Sequence, residues 1–321
     1  MNHIKILDVF YGNKCNLACS NCDTRSDTLR GYDPELDTIK ESIRLANEKF
    51  DVENWSVLGG EPLLYKDKVL EIIKYIRSIE PNKTIFMSTN GMLLNKNIDW
   101  IANLIKEYRV WVQVCNHTAK FGSKDKIVSS VADVAAQLNI NKIEPGYLWW
   151  YNIMKYDTGT DNWKEYVDRK GWDITQRDLN EVTYMENNYG IHYMESDWFH
   201  SIYQTVNGVP KPFNSDDPQA SYNNSCPSQF CAFLYENKIY KCAALGTLQN
   251  FLDKHNLLED DDWQKYLMYK PVDLDTCTDL EVKYFSDTHY CGVSACSMCP
   301  KNKQEIVKDK IQVLPLYKHE R

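Results

Sequence analysis

Apolar residues along the first 140 positions follow two rhythms in turn. Short runs rich in branched and aromatic side chains, at 4–11, 55–58, 84–87 and 110–115, read as strands. Between them, 36–50, 66–79, 98–108 and 124–138 have helical patterns; Val69, Leu70, Ile72, Ile73 and Ile76 include the spacings of three and four that mark one helix face. Alternating strands and helices imply a parallel sheet with helices outside, an α/β fold. From about 141 to 205 the rhythm weakens and rings accumulate: Tyr147, Trp149, Trp150, Tyr151, Trp163, Trp172, Tyr193, Trp198 and Tyr203. Further units are expected there, with 177–189 helical and 191–195 a strand. The rings either wall a pocket or fill a core. Residues 206–225, with Pro210, Pro212 and Pro218 among Asn, Ser and Asp, read as a connecting loop. Residues 234–241 then read as a β-hairpin turning at Glu236-Asn237-Lys238.

Chemistry-bearing residues collect at the ends of these strands. Cys15, Cys19 and Cys22 follow the first one at C-x3-C-x2-C spacing. A tetrahedral zinc site needs four ligands, and no fourth cysteine or histidine follows closely. A cubane iron–sulfur cluster has four irons, so three thiolates leave one iron open to a small molecule. Gly59-Gly60-Glu61-Pro62 follows the second strand, and Ser88-Thr89-Asn90-Gly91 ends the third. Each alone could be no more than a strand-ending turn. The cysteine loop and the glycine motif fall on the carboxyl edge of the expected sheet, where parallel α/β folds place ligands.

This set, in this order, resembles the radical S-adenosylmethionine (radical SAM) superfamily. The resemblance implies a partial (β/α)6 barrel. It also implies a [4Fe-4S] cluster on Cys15, Cys19 and Cys22 whose open iron is chelated by S-adenosylmethionine. Gly59, Gly60, Glu61 and Pro62 would then hold the amino group of that cofactor, with Ser88, Asn90, Gln113 and Asn116 near its carboxylate and ribose. One departure is Asn21, where the family usually has an aromatic ring beside the adenine. Adenine packing is then expected from elsewhere. The Cys-Asp-Thr at 22–24 also resembles the 7-carboxy-7-deazaguanine synthases. Those are shorter and lack a second cysteine set, so that match reads as incidental.

Cys226, Cys231, Cys242, Cys277, Cys291, Cys296 and Cys299 form a second set. Cys226-x10-Asn237-x4-Cys242 resembles the opening of the SPASM/Twitch extension of radical SAM enzymes, with Asn in place of Gly. Asn is a workable substitute because it too visits left-handed backbone conformations. The resemblance implies an auxiliary [4Fe-4S] cluster on Cys226 or Cys231 with Cys242, Cys296 and Cys299. A second auxiliary cluster, or a structural zinc at the late C-x2-C, are the alternatives. The chain is thus expected to divide into a radical SAM core over 1–205 and a small Cys-rich domain, a β-hairpin plus helix, over 206–321. Cys115 is expected to be a small buried hydrophobe.

Composition narrows the setting. The 321 residues carry a net charge of −8, which argues against a nucleic-acid backbone as main partner. No run of 18 apolar residues exists, so no membrane span is expected. No signal-like segment precedes Cys15, so a reducing, cytoplasmic compartment is expected. Eleven cysteines there argue for metal rather than disulfides. The acidic stretch at 259–262 reads as a solvated loop or helix start.

The resemblance implies an enzyme of oxidoreductase type. A 5′-deoxyadenosyl radical would take hydrogen from a peptide or small molecule in a net oxidation, with a flavodoxin- or ferredoxin-type protein as reductant. Redox-neutral epimerisation or rearrangement is the alternative within that class. A non-catalytic iron–sulfur or zinc protein is the alternative outside it, and the motifs at 59–62 and 88–91 speak against it. No residue of the chain is singled out as catalytic.

Overall fold

The computed structural model describes residues 2–19, 22–118, 122–142, 182–186, 189–195, 202–226, 228–302 and 311–313. In chain order the strands are β1 (His3–Phe10), β2 (Leu17–Cys19), β3 (Asp51–Leu58), β4 (Thr84–Thr89), β5 (Val110–Asn116), β6 (Val182–Glu186), β7 (Tyr189–Glu195), β8 (Gln204–Val206), β9 (Val209–Lys211), β10 (Cys231–Tyr235), β11 (Lys238–Tyr240), β12 (Val272–Asp273) and β13 (Ile311–Val313). The long helices α1 (Leu36–Lys49), α2 (Lys66–Ile79), α3 (Ile98–Tyr108) and α4 (Lys124–Leu138) occupy the four expected segments. This is a mixed α/β fold with parallel strands. Contacts gather the chain into two units, one of Met1–Ile85 with Asp197–Arg321 and one of Phe86–Ser196. The division expected at residue 205 follows cysteine content; this one follows packing.

In the first unit β1 lies between two parallel partners, with Asp8 opposite Ser56 of β3 and Ile6 opposite Cys231 of β10. Fully buried Leu7, Val9, Trp55 and Val57 form its core with Ile39, Ile43 and Ala46, one face of α1. The C-terminal hairpin therefore extends the sheet of β1. Its β10 and β11 join through Glu236 and Asn237, both left-handed at φ 48° and 56°, the geometry of a two-residue hairpin turn. Asn237 holds that shape while its N–H donates to Ser42 Oγ (2.9 Å) and its Oδ1 accepts from the same hydroxyl (2.7 Å).

In the second unit β5 pairs parallel with β7, and β6 pairs antiparallel with β7. The helix expected over 177–189 is corrected here: its part from Val182 to Glu186 is the strand β6. Pairing with β7 decides it, supported by Thr183 Oγ1 2.7 Å from His192 Nδ1. Strand 191–195 is present as part of β7. Trp111 is fully buried and packs with Phe86, so this ring fills core. Tyr193 is fully buried as well. Tyr147, Trp149, Trp150, Tyr151, Trp163, Trp172 and Trp198 lie outside the described residues.

The connecting loop expected at 206–225 is more structured than its composition suggests. β8 and β9 form a hairpin across Asn207 and Gly208, both at positive φ. Asp217 caps a helical turn at Pro218–Ala220. The acidic stretch is a helix start, with Asp260 capping Asp261–Leu267. Among the described residues no helix is long and apolar enough to cross a membrane.

Candidate functional site

The loop after β1 carries the first cysteine set. Tyr11 N–H still reaches the Leu58 carbonyl (3.1 Å); the chain then leaves the sheet through Gly12–Asn16. β2 brings up Cys19, and its backbone pairs with β13, Cys19 opposite Ile311. Two consecutive turns, Cys22 N–H to the Cys19 carbonyl (3.2 Å) and Arg25 N–H to the Cys22 carbonyl (3.0 Å), fold Cys22 back.

The glycine motif clamps this loop. Gly60 N–H donates to the Gly12 carbonyl (2.8 Å) and Glu61 N–H to the Lys14 carbonyl (2.9 Å). A Cβ on Gly59 would stand 2.6 Å from Gly12 O, so the close approach itself requires glycine there. Thr24 Oγ1 lies 3.4 Å from Cys22 Sγ and donates to the Gly59 carbonyl (3.2 Å). Glu61 is fully buried, and Oε1 accepts the Leu63 N–H (3.1 Å), capping the turn Pro62–Leu64. Burial, with the Glu61 charge nearby, pushes the Cys15 thiol up to about 12. Cys19 and Cys22 are also raised, mainly by burial. Three thiols this costly to ionise fit a site where a metal centre supplies the compensating charge.

Ser88, Asn90, Gln113 and Asn116 belong to the second unit. Ser88 lies in β4, and Asn90 Oδ1 accepts the Met92 N–H (3.0 Å). Gln113 Nε2 stands 2.8 Å from the Met194 sulfur. Asn116 is buried and heavily engaged: Nδ2 donates to the Tyr193 hydroxyl (3.1 Å), and Oδ1 accepts from Thr118 N–H (2.9 Å) and Ser123 Oγ (3.0 Å). Its side chain ties the end of β5 to the start of α4.

Four of the later cysteines, Cys226, Cys242, Cys296 and Cys299, line one cavity with Tyr222, Lys241 and Met298. Burial raises all four thiols, Cys242 to about 11, and they raise one another. Cys299 feels Cys226, Cys242 and Cys296, and Cys226 feels Cys242 and Cys296. Among the described residues no three Cys, His, Asp or Glu side chains are placed to hold a single metal ion, whereas a cubane takes its thiolates at separate corners.

Cys231 does not line that cavity, although its thiol feels Cys226. Its thiol donates to Asp8, whose carboxyl burial pushes up to about 7 against a hydrogen bond from Ser56. Of the two cysteines left open by the spacing, it is Cys226 that joins the other three. Cys291 neighbours Cys296, and Cys277 lies beside Lys49. No disulfide joins any of the eleven cysteines, and Cys115, expected to be buried, is instead partly exposed.

Spacing alone misses the brace under the first loop. The Tyr65 hydroxyl accepts the Lys14 N–H (2.7 Å) and donates to Asp33, which also accepts the Asn13 N–H (3.1 Å). These side chains act on backbone atoms distant in sequence, so no short motif marks them.

The radical SAM superfamily profile matches residues 9–128, the stretch that holds the cysteine loop and the glycine clamp. That stretch carries a radical SAM domain. Enzymes of this superfamily work with a [4Fe-4S] cluster and S-adenosylmethionine. Over 137 residues the chain is 32% identical to a probable GTP 3′,8-cyclase of Methanocaldococcus jannaschii, covering 40% of this chain and 44% of that protein. A GTP 3′,8-cyclase of Clostridium perfringens is 25% identical over 40% of this chain and 42% of its own length. A 7-carboxy-7-deazaguanine synthase of Methanothermobacter thermautotrophicus is 33% identical over 128 residues, 37% of this chain and 48% of that protein. The likeness set aside as incidental at 22–24 is thus far broader than three residues. The chain spans less than half the length of these radical SAM relatives.

Proposed function

We propose that this protein is a radical SAM enzyme with two iron–sulfur clusters, the second on a SPASM/Twitch-like set of Cys226, Cys242, Cys296 and Cys299. The observation that carries the second cluster is the cavity those four thiols share. The first cluster, when bound with S-adenosylmethionine, supplies the electron that splits the cofactor and the 5′-deoxyadenosyl radical that takes a hydrogen atom from substrate.

The chain's own residues provide the frame for that chemistry. Cys15, Cys19 and Cys22 would hold the first cluster and leave one iron to the cofactor. The clamp between Gly59–Glu61 and Gly12–Lys14 fixes the loop bearing Cys15. Glu61 is a carboxylate in a dry setting near Cys15, suited to a cationic ammonium. Ser88, Asn90, Gln113 and Asn116 are the candidates for the cofactor's carboxylate and ribose, and Asn116 also ties the end of β5 to the start of α4.

The preferred outcome is a net oxidation of a small molecule or peptide, in which Cys226, Cys242, Cys296 and Cys299 would hold a second cluster that would supply an electron acceptor, with a flavodoxin- or ferredoxin-type protein as reductant. A redox-neutral rearrangement is the second reading, favoured by relatives named as cyclases. The test is to incubate the reduced, reconstituted protein with S-adenosylmethionine and a deuterium-labelled cell extract. Deuterium appearing in 5′-deoxyadenosine supports hydrogen abstraction, and the labelled fraction identifies the substrate. No cofactor cleavage by a protein with full iron content would overturn the enzyme reading.

A further inference from the structure

Among the described residues Arg25 is the largest fully buried charged side chain, 1% exposed, three residues beyond Cys22. Its Nε, Nη1 and Nη2 have no hydrogen-bond partner among the described residues. The guanidinium carbon stands 4.0 Å from the centre of the Phe251 ring and 5.1 Å from that of Tyr203. Its backbone is left-handed (φ 59°), a conformation uncommon for a residue other than glycine. The Arg25 carbonyl accepts the N–H groups of Thr28 (3.0 Å) and Leu29 (2.7 Å), which keeps it there.

A guanidinium keeps its proton inside a protein and presents five N–H donors. Burying that charge without an anion is costly, and aromatic faces offset only part of the cost. The acidic groups whose charge reaches Arg25 are Tyr203, Asp27, Cys299, Cys22 and Asp23. Neither Asp23 nor Asp27 makes an ion pair with it among the described residues, and Asp27 Oδ1 is itself buried without a hydrogen bond. The remaining acidic groups are thiols, one from each cysteine set: Cys22, three residues back, and Cys299, which packs on the same apolar cluster as Phe251. A substrate-binding arginine would face an open chamber, whereas Arg25 is enclosed by rings.

We propose that Arg25 is a positioning residue shared by the two metal sites, its unpartnered N–H groups available to sulfur of a cluster bound on the Cys22 side and of one bound on the Cys299 side. Its fixed positive charge favours the reduced, more negative state of each cluster and so raises both reduction potentials. Net charge and hydrogen bonds to sulfur are the levers by which proteins set such potentials. The proposal rests on the two-cluster reading above, and the first measurement separates the two claims.

The experiment uses the full-length chain, reconstituted anaerobically, as wild type, Arg25→Met and Arg25→Lys. Wild-type protein should bind about eight irons, as two four-iron clusters require. Redox titrations followed by electron paramagnetic resonance should show both midpoint potentials lower in Arg25→Met. Arg25→Lys, which keeps the charge but loses the planar fork, should recover part of both shifts. If Arg25→Met does not load iron, wild-type protein labelled with 15N-arginine provides the test. Pulsed resonance should detect 15N coupling at each reduced cluster, and Arg25→Lys should remove it. That control distinguishes Arg25 from Arg30, whose Nη2 lies 3.3 Å from the Cys15 carbonyl. Two intact clusters of which either is indifferent to residue 25 would overturn this proposal alone. Iron for one cluster only would overturn the two-cluster reading and this proposal with it.

Discussion

The carbonyl oxygen of Lys14 sits 2.0 Å from the point where a Cβ on Gly60 would lie. The glycine motif and the cysteine loop are therefore in backbone contact, and the missing side chain is what lets Glu61 N–H reach that same carbonyl. A methyl group at 60 has only backbone to displace. Gly60→Ala should cost about 1–3 kcal/mol, the range for overpacking a tight site. It should also lower iron occupancy at the first cluster and leave the second unchanged. Iron analysis with urea denaturation checks this; full iron and an unchanged midpoint would sink it.

Glu61 has two roles that substitution can separate. Its carboxylate accepts the Leu63 N–H and, in the proposed function, faces the ammonium of S-adenosylmethionine. Glu61→Gln keeps an acceptor for the turn and removes the charge. Loss of a charge-assisted hydrogen bond costs roughly 1.5–3 kcal/mol, so cofactor binding should weaken about ten- to a hundred-fold. Folding should be retained, because the amide oxygen still accepts the Leu63 N–H. Anaerobic titration calorimetry is the measurement. Affinity unchanged within a factor of about two would confine Glu61 to capping the turn.

The second cysteine set gives a sharper contrast. Cys226 lines the shared cavity, whereas Cys231 donates its thiol to Asp8. Cys226→Ala should therefore lose about half of the iron, as removal of one of two four-iron clusters requires, while Cys231→Ala keeps it. Equal iron loss in both variants would return Cys231 to the ligand set. If the second cluster accepts the substrate's electron, Cys242→Ala should abolish product and still release 5′-deoxyadenosine. Circular dichroism must accompany these assays, because metal binding couples to folding. A folded Cys242→Ala protein that makes product at the wild-type rate would leave the second cluster a structural part.

These contrasts show where the sequence is legible. Helices α1 to α4 were readable because each buries one face at spacings of three and four, as Val69, Ile72, Ile73 and Ile76 do in α2. The motif positions were readable because strands β1 and β3 end just before them. The choice between Cys226 and Cys231 was not, since it depends on a register that sets Cys231 opposite Ile6 across strands 225 residues apart. Val182–Glu186 carries no decisive period of its own, and its strand exists because β7 pairs with it. No motif singles out Arg25; the packing of Phe251 and Tyr203 over it reveals its setting.

His289 gives the protein an acid-sensitive point of its own. Its ring is buried, stacked on Phe285 at 5.2 Å, and neither ring nitrogen has a hydrogen-bond partner among the described residues. Burial, with a smaller push from Lys241, lowers its pKa to about 3. The unfolded chain titrates near 6.5, so it takes up a proton that the folded state refuses. Stability from this group is complete above 6.5 and is lost as pH falls from there toward 3. Between pH 7.5 and 5.5 the loss should be about 1.4 kcal/mol. His289→Gln removes the titrating ring, so its stability should fall less than that of wild type over the same interval. Anaerobic urea denaturation of both proteins at the two pH values isolates the term, because acid lability of the clusters is common to both. Parallel losses in wild type and His289→Gln would show that the ring is solvated or already protonated in the folded protein.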